Sequence, residues 1–273
     1  MTSSVLVIKL GALGDFVQAL GPMAAIRRHH DGARIVLLTT EPFREFAQAS
    51  GLADEVWIDS RPSGLRLDLW LDLRRRLRAG GFQRIYDLQT SDRSSAYYRL
   101  FWPGPRPEWS GIAAGCSHPH ANPGRDLMHT IERQREQLAM AGIDAVPAPN
   151  LDWAEAELAG FGLDAPYALL APGGARHRPG KRWPAPRFAE VARHLAGSDV
   201  QPVLIGGADE AELLGEIAAA APGSVNLAGR TSLLELAALG RGAELALGND
   251  TGPMHALAVA GAPALGLYAH ASD

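Results

Sequence analysis

The chain has 273 residues, a formal net charge of −4 and 47% hydrophobic residues, an ordinary composition for a soluble globular protein. The charge excludes a global basic field for nucleic acid, and the length suits two domains better than one core. The single cysteine, Cys116, excludes an intrachain disulfide and agrees with a reducing cytoplasm.

The first residues run directly into Val5-Leu6-Val7-Ile8, without the basic start, long apolar segment and cleavage site of a signal peptide. Val5–Leu10 is short, continuous and β-branched, which predicts a buried strand. Gly11-Ala12-Leu13-Gly14-Asp15 then turns into a helical pattern carried by Phe16, Ala19, Leu20, Met23 and Ile26. Pro22 should kink that helix or mark a new start. Ile35–Thr39 and Glu55–Ile58 read as strands, with a short helix at Phe43–Ala49 between them. Strands alternating with helices imply a parallel, doubly wound α/β sheet. The first turn has two glycines but lacks the Gly-x-Gly-x-x-Gly fingerprint, which disfavours a nicotinamide or flavin dehydrogenase.

Leu65–Ala79 predicts a helix with a basic stripe: Arg66, Arg74, Arg75, Arg76 and Arg78. Such a stripe suits a solvated face, or attraction to an anionic acceptor or anionic lipid head groups. Arg84–Leu88 is a further strand, followed by the polar run Ser91-Asp92-Arg93-Ser94-Ser95. Asp15 and this run both lie at strand C-terminal ends, where ligands collect in open parallel sheets. Residues 101–126 are rich in Pro, Gly, His and Trp without periodicity and read as a long loop. Cys116, His118 and His120 fit no familiar zinc spacing, so the histidines are expected to be exposed and the chain to hold no metal. His129–Met140 is helical again.

Residues 144–164 read as an interdomain passage, which divides the chain into 1–150 and 151–273. A second cycle follows. Its strands are Tyr167–Leu170, Pro202–Ile205, Glu244–Leu247 and Ala264–Tyr268. Ala211–Ala221 is a helix, and Ser232-Leu233-Leu234-Glu235 is a capping box opening another. The apolar stretch 256–269 is broken by Gly261 and Pro263 and is too short to span a bilayer.

The turn after the Glu244 strand, Gly248-Asn249-Asp250-Thr251-Gly252-Pro253-Met254-His255, opens an Ala-rich helix. Helix-start N–H groups lack intrahelical partners and, with the dipole, suit an anion. An ordinary Asn-Asp turn before a buried helix fits the same residues. Gly173-Gly174 permits close backbone approach, and Lys181 with Arg182 offers positive charge. Together these residues describe a diphosphate pocket. Glu210 and Glu212 suit either a ribose or a helix N-terminus. Asp15 suits either a general base or a helix cap.

These blocks, with Val7-Ile8-Lys9…Gly14-Asp15, Asp87-Leu88-Gln89…Arg93-Ser94 and Pro172-Gly173-Gly174…Lys181-Arg182-Trp183-Pro184, resemble in order those of glycosyltransferase family 9, the ADP-heptose:lipopolysaccharide heptosyltransferases of Gram-negative bacteria. The resemblance implies a GT-B fold, with two Rossmann-like domains facing across a cleft: acceptor-binding over 1–150 and donor-binding over 151–273. It implies inverting transfer of heptose from ADP-heptose, a substrate rather than a cofactor, to the lipopolysaccharide inner core. Carried over by motif, Asp15 corresponds to the catalytic base and Lys181 to the donor-phosphate lysine. Asp250 corresponds to the heptose contact and Thr251 and Gly252 to the diphosphate turn, beside Asn249 of the expected donor set. His255 falls where the family has a donor-site histidine. Gly173, Gly174, Arg182 and Glu210 complete the expected donor set. Arg66, Arg75, Arg76 and Arg93 are expected to meet a phosphorylated glycolipid acceptor. The expected place is the cytoplasm, with peripheral contact at the inner membrane and no nucleic-acid partner.

Two departures stand out. The sequence stops at Asp273, where family members usually continue, so a shortened second domain is expected. Arg176-His177-Arg178 replaces smaller hydroxyl residues near the donor phosphates. The rival readings are a nucleotide-sugar epimerase on the same fold and an inactive nucleotide-sugar-binding protein.

Overall fold

The computed structural model describes residues 3–64, 66–163, 166–174, 180 and 182–268. The chain divides into two compact units, Met1–Pro149 and Asn150–Asp273.

The first unit holds β1 (Ser4–Ile8), α1 (Leu13–Gln18), α2 (Leu20–His29), β2 (Arg34–Thr39), α3 (Arg44–Ala49), β3 (Glu55–Ile58), α4 (Leu67–Ala79), β4 (Arg84–Asp87), α5 (Asp92–Tyr98), β5 (Glu108–Gly111), β6 (His118–Pro119) and α6 (Thr130–Ala139). Its six strands are parallel in the order β3-β2-β1-β4-β5-β6. Every residue of β1 is buried, as expected of a parallel strand covered on both faces. Leu6, Ile8, Val36 and Leu38 pack on one face with Leu73 and Leu77 of α4, Tyr97 of α5 and Trp109 of β5. Burying side chains of this size is worth about 1.5–3 kcal/mol each. Elsewhere in the unit Phe16 stacks on Phe43 with ring centroids 4.6 Å apart.

Two local outcomes follow from single residues. Pro22 has no N–H to offer the Gln18 carbonyl, and its ring crowds that carbonyl. The helical run therefore breaks at Ala19 into α1 and α2. Residues 101–126, expected to be one long loop, contain β5 and β6. These strands span four and two residues, too short for alternation to show in the sequence. His120, expected to be exposed, is 4% exposed because it follows β6 into the interior.

The second unit holds β7 (Tyr167–Ala171), α7 (Ala185–Ala196), β8 (Gln201–Leu204), α8 (Ala211–Ala220), β9 (Val225–Asn226), α9 (Leu233–Gly242), β10 (Leu245–Asn249), α10 (Gly252–Val259) and β11 (Ala264–Leu267). The sheet is again parallel, ordered β11-β10-β7-β8-β9. Leu170, Leu204 and Leu247 pack with Phe188 and Ala192 of α7 and with Leu214 and Ile217 of α8. The capping box at α9 forms as read: the Glu235 N–H donates to Ser232 Oγ at 3.2 Å, and the Ser232 N–H donates to Glu235 Oε2 at 2.7 Å. Among the described residues no helix is long and apolar enough to cross a membrane.

Candidate functional site

In the second unit the strands β10, β7 and β8 are neighbours, so their C-terminal turns converge. Asn249 ends β10 and is 1% exposed. Its Nδ2 donates to the carbonyls of Pro172 (2.8 Å) and Gly173 (3.1 Å), and its Oδ1 accepts the Trp183 N–H at 2.9 Å. The side chain of Asn249, a residue expected at the donor site, is committed to holding two loops at the strand end. Glu210 does the same from the β8 side. Its Oε1 accepts the Gly174 N–H at 2.8 Å and its Oε2 the Gly207 N–H at 3.0 Å. The bond to Gly207 is the helix-start role that was one of the two expectations for Glu210, and the bond to Gly174 adds a role that neither expectation held.

Gly173 is required by this arrangement. A Cβ there would lie 1.9 Å from Glu210 Oε1. Arg182 closes the loop from the other side, its Nη2 donating to the Gly174 carbonyl. Gly248 has a similar role that its place in the motif did not reveal. A Cβ there would lie 2.6 Å from Ala171 Cβ and 2.8 Å from Met254 Sδ. Lys181 lies outside the described residues, as do residues 176–178.

The α10 helix starts at this convergence. Thr251 is its N-cap, in extended backbone (φ −150°, ψ 157°), and its hydroxyl makes no capping bond. Pro253 takes the second helical position, where a missing N–H costs little. Asp250, Thr251, Gly252 and His255 are all half-buried around this start. The turn thus presents main-chain donors at the positive end of a helix dipole.

In the first unit the corresponding convergence is at β1 and β4. Asp15 occupies the third position of α1 and is half-buried. The N-cap is Ala12, and no side chain caps this helix, so Asp15 is not the cap residue that was one of its two expected roles. The turn before it is pinned from three directions. The Leu10 carbonyl accepts from Thr40 Oγ1 (3.1 Å) and Arg61 Nη2 (2.6 Å), and the Leu10 N–H donates to Gln89 Oε1 (2.9 Å). Asp59 supports Arg61 by accepting its N–H at 2.8 Å and takes the Tyr97 hydroxyl at 2.5 Å. Arg93 reaches the same loop, donating to the Pro62 carbonyl at 3.2 Å.

Behind the turn lie two buried titratable groups, Lys9 and Asp87. Lys9 is 3% exposed, and its Nζ donates to the Leu88 carbonyl at 3.3 Å. Burial pushes the Lys9 ammonium down to about 8, against the favourable charges of Asp15 and Asp87. Burial likewise pushes the Asp87 carboxyl up to about 6, although its Oδ1 accepts N–H groups from Gln89 (3.1 Å) and Thr90 (3.0 Å). Lys9, Arg61 and Asp59 were not singled out as site residues. A lysine inside the apolar run Val7-Ile8-Lys9-Leu10 was the available signal for the first.

The α4 arginines do not form one face. Arg66 pairs with Asp68 at 2.8 Å and Arg75 with Asp72 at 2.5 Å, both well exposed. Arg76 turns inward, donating to the Ile58 carbonyl at 3.1 Å with its guanidinium 5.2 Å from the Trp57 ring. Of the four arginines expected to meet an acceptor, only Arg93 reaches the loop that braces the Asp15 turn. Among the described residues no cluster of His, Cys, Asp and Glu could hold a metal ion.

Two parallel α/β units with polar turns gathered at the strand ends define the GT-B glycosyltransferase fold. The family model described as glycosyltransferase family 9 (heptosyltransferase) matches residues 70–273, and the chain belongs to that family. Lipopolysaccharide heptosyltransferase 2 of Salmonella typhimurium is 36% identical over 104 residues, which cover 36% of this chain and 30% of that protein. The match therefore spans less than a third of the curated relative's length. The solved family 9 glycosyl transferase from Veillonella parvula superposes with a TM-score of 0.81 at 20% identity, covering 97% of this chain and 80% of that one. Escherichia coli heptosyltransferase WaaC with ADP-2-deoxy-2-fluoro heptose gives a TM-score of 0.75 at 22% identity, covering 96% and 88%. At these identities the two structures establish the fold.

Proposed function

We propose that this chain transfers heptose from ADP-heptose to the inner core of lipopolysaccharide with inversion at the anomeric carbon. The family match, which includes the whole second unit, carries this reading. Donor recognition is assigned to that unit. The main-chain donors at Thr251 and Gly252, with Lys181, take the diphosphate, and Asp250 takes the sugar. His255 and the loop at Gly173 and Gly174 complete the donor site. Asn249, Arg182 and Glu210 hold its turns in place.

Proton abstraction is assigned to Asp15. Its carboxylate removes the proton of the acceptor hydroxyl, and the freed electron pair attacks the anomeric carbon. The bond from that carbon to the diphosphate oxygen breaks on the opposite face, and its electrons leave with ADP. Donors fixed at the developing charge are worth roughly 3–4 kcal/mol each where removal has been measured. No cofactor or metal is assigned a step. A glycolipid acceptor lies in a membrane leaflet, so contact with the cytoplasmic face of the inner membrane belongs to the same reading.

The test is turnover of ADP-heptose with a heptose-deficient lipopolysaccharide core, following ADP release and the mass of the product. Stoichiometric ADP and heptosylated core are expected, with ADP-sugars preferred over UDP- and GDP-sugars. Release of an epimerised sugar, or binding of ADP-heptose without transfer to any core acceptor, would overturn the proposal.

A further inference from the structure

The outer flank of the first unit carries an exposed apolar cluster that its fold does not need. Leu67 and Leu71 are 69% and 62% exposed, one turn apart on the outward side of α4. Trp102 is 66% exposed on the loop that α4 holds in place. Arg74 donates to the Leu100 and Trp102 carbonyls at 3.0 and 3.1 Å, and Arg78 donates to the Phe101 and Pro103 carbonyls at 3.2 and 2.8 Å. The two leucines and the tryptophan therefore sit on adjoining elements fixed to each other. Isolated exposed leucines are ordinary, but a cluster rimmed by polar groups marks an interaction surface.

The charge around the cluster identifies what it meets. Apart from Arg76, which turns inward to Trp57, residues 66–79 and 99–107 carry six arginines and two aspartates, in a chain whose formal net charge is −4. The aspartates, Asp68 and Asp72, are taken by Arg66 and Arg75. Arg74 and Arg78 bond to carbonyls, which leaves their charge uncompensated. The next acid along the chain, Glu108, is held by Arg84. The surface is thus apolar at its centre and strongly positive around it. Two copies of it would repel, whereas an anionic bilayer satisfies both parts. Tryptophan suits the interfacial depth, and arginine suits lipid phosphates.

We infer that the outward face of α4 and the adjoining Trp102 loop form a docking surface for an anionic lipid bilayer. This inference rests on the glycolipid reading for its purpose, and its test does not use the transfer reaction. The full chain is floated with vesicles of phosphatidylethanolamine and phosphatidylglycerol, and separately with phosphatidylcholine vesicles. Recovery with the anionic vesicles alone is expected, with release at high salt. Each basic side chain near such a surface contributes roughly five-fold to partition. Arg75→Glu, which reverses a side chain 78% exposed, is therefore expected to lower partition about ten-fold or more. Leu71→Glu and Trp102→Ala should do the same without unfolding the unit, since both side chains are exposed.

Failure of the anionic vesicles to recruit the chain would overturn the inference. So would recruitment of all three variants as complete as that of the wild-type chain, or self-association abolished by Leu71→Glu in a chain that ignores vesicles. Absent flotation with intact transfer to a delipidated acceptor would overturn the docking surface and leave the enzymatic reading standing. Intact flotation without transfer to any acceptor would do the reverse.

Discussion

The carboxylate of Glu210 fills the space that a Cβ on Gly173 would need, 1.9 Å from Oε1 and 2.3 Å from Cδ. One residue is small so that another can bridge two loops, through the N–H groups of Gly174 and Gly207. Gly173→Ala is expected to push Glu210 off both N–H groups and to loosen the donor turn. Overpacking of this kind typically costs about 1–3 kcal/mol. Isothermal titration with ADP should show at least ten-fold weaker binding for Gly173→Ala. Equal affinity would mean that the loop does not shape the donor site.

Asn249 offers a sharper test of the same scaffold, because one side chain satisfies three main-chain groups. Asn249→Ala leaves the Pro172 and Gly173 carbonyls and the Trp183 N–H without their partner. Orphaned buried groups cost about 1–3 kcal/mol apiece, so a loss of roughly 3 kcal/mol in urea unfolding is expected. Asn249→Asp keeps the acceptor for Trp183 and loses the donor to the carbonyls. It should also bring a carboxylate against two carbonyl oxygens, and so be no more stable than Asn249→Ala. Recovery of wild-type stability in Asn249→Asp would contradict the assigned bonds.

Asp15 has a different prediction, because none of the bonds that pin its turn runs through its side chain, and its support of the core is the charge it offers Lys9. The Leu10 groups of its turn are held by Thr40, Arg61 and Gln89, and no side chain caps α1. Asp15→Asn should therefore leave the melting temperature and ADP affinity near wild type. It should lower kcat about 10²–10⁴-fold, the usual contribution of a general base. Arg61→Ala should instead reduce both stability and turnover, since it removes one anchor of the turn. A turnover number unchanged in Asp15→Asn would remove the base assignment.

The doubly wound architecture was legible because parallel strands buried on both faces are continuous apolar runs, as Val5–Ile8 and Tyr167–Leu170 are. Pro22 and the Ser232 capping box act locally, so their effects could be read directly. β5 and β6 were not legible, since strands this short carry no usable period and their identity depends on neighbours distant in the chain. The donor motif was readable as a block but not residue by residue. Asn249 and Glu210 are polar residues at strand ends, and only the fold shows that their bonding capacity is spent on loops 172–174 and 206–207. The α4 arginines look alike in sequence. Helical geometry sends Arg76 inward to Trp57 and leaves Arg75 in solvent, so their run does not define one surface.

The pH dependence of stability tests the buried charges of the first unit, where two groups act in opposite directions. Burial pushes the Asp87 carboxyl up to about 6 from 3.8. The native state then holds a proton that the unfolded state has released, so stability is present below pH 4 and is lost as pH rises toward 6. The gap of about two units corresponds to about 3 kcal/mol. His30, whose Nε2 lies 2.8 Å from the Tyr86 hydroxyl, is pushed down to about 4 from 6.5, chiefly by burial. Its contribution is present above pH 6.5 and is lost as pH falls toward 4. Lys9, at about 8, stays charged throughout this window and shifts the level of stability without changing its slope. Urea unfolding of His30→Gln should therefore fall more steeply than wild type as pH rises from 4 to 6, while Asp87→Asn should tilt the other way. Identical slopes in the wild type and both variants would show that neither group titrates as its burial requires.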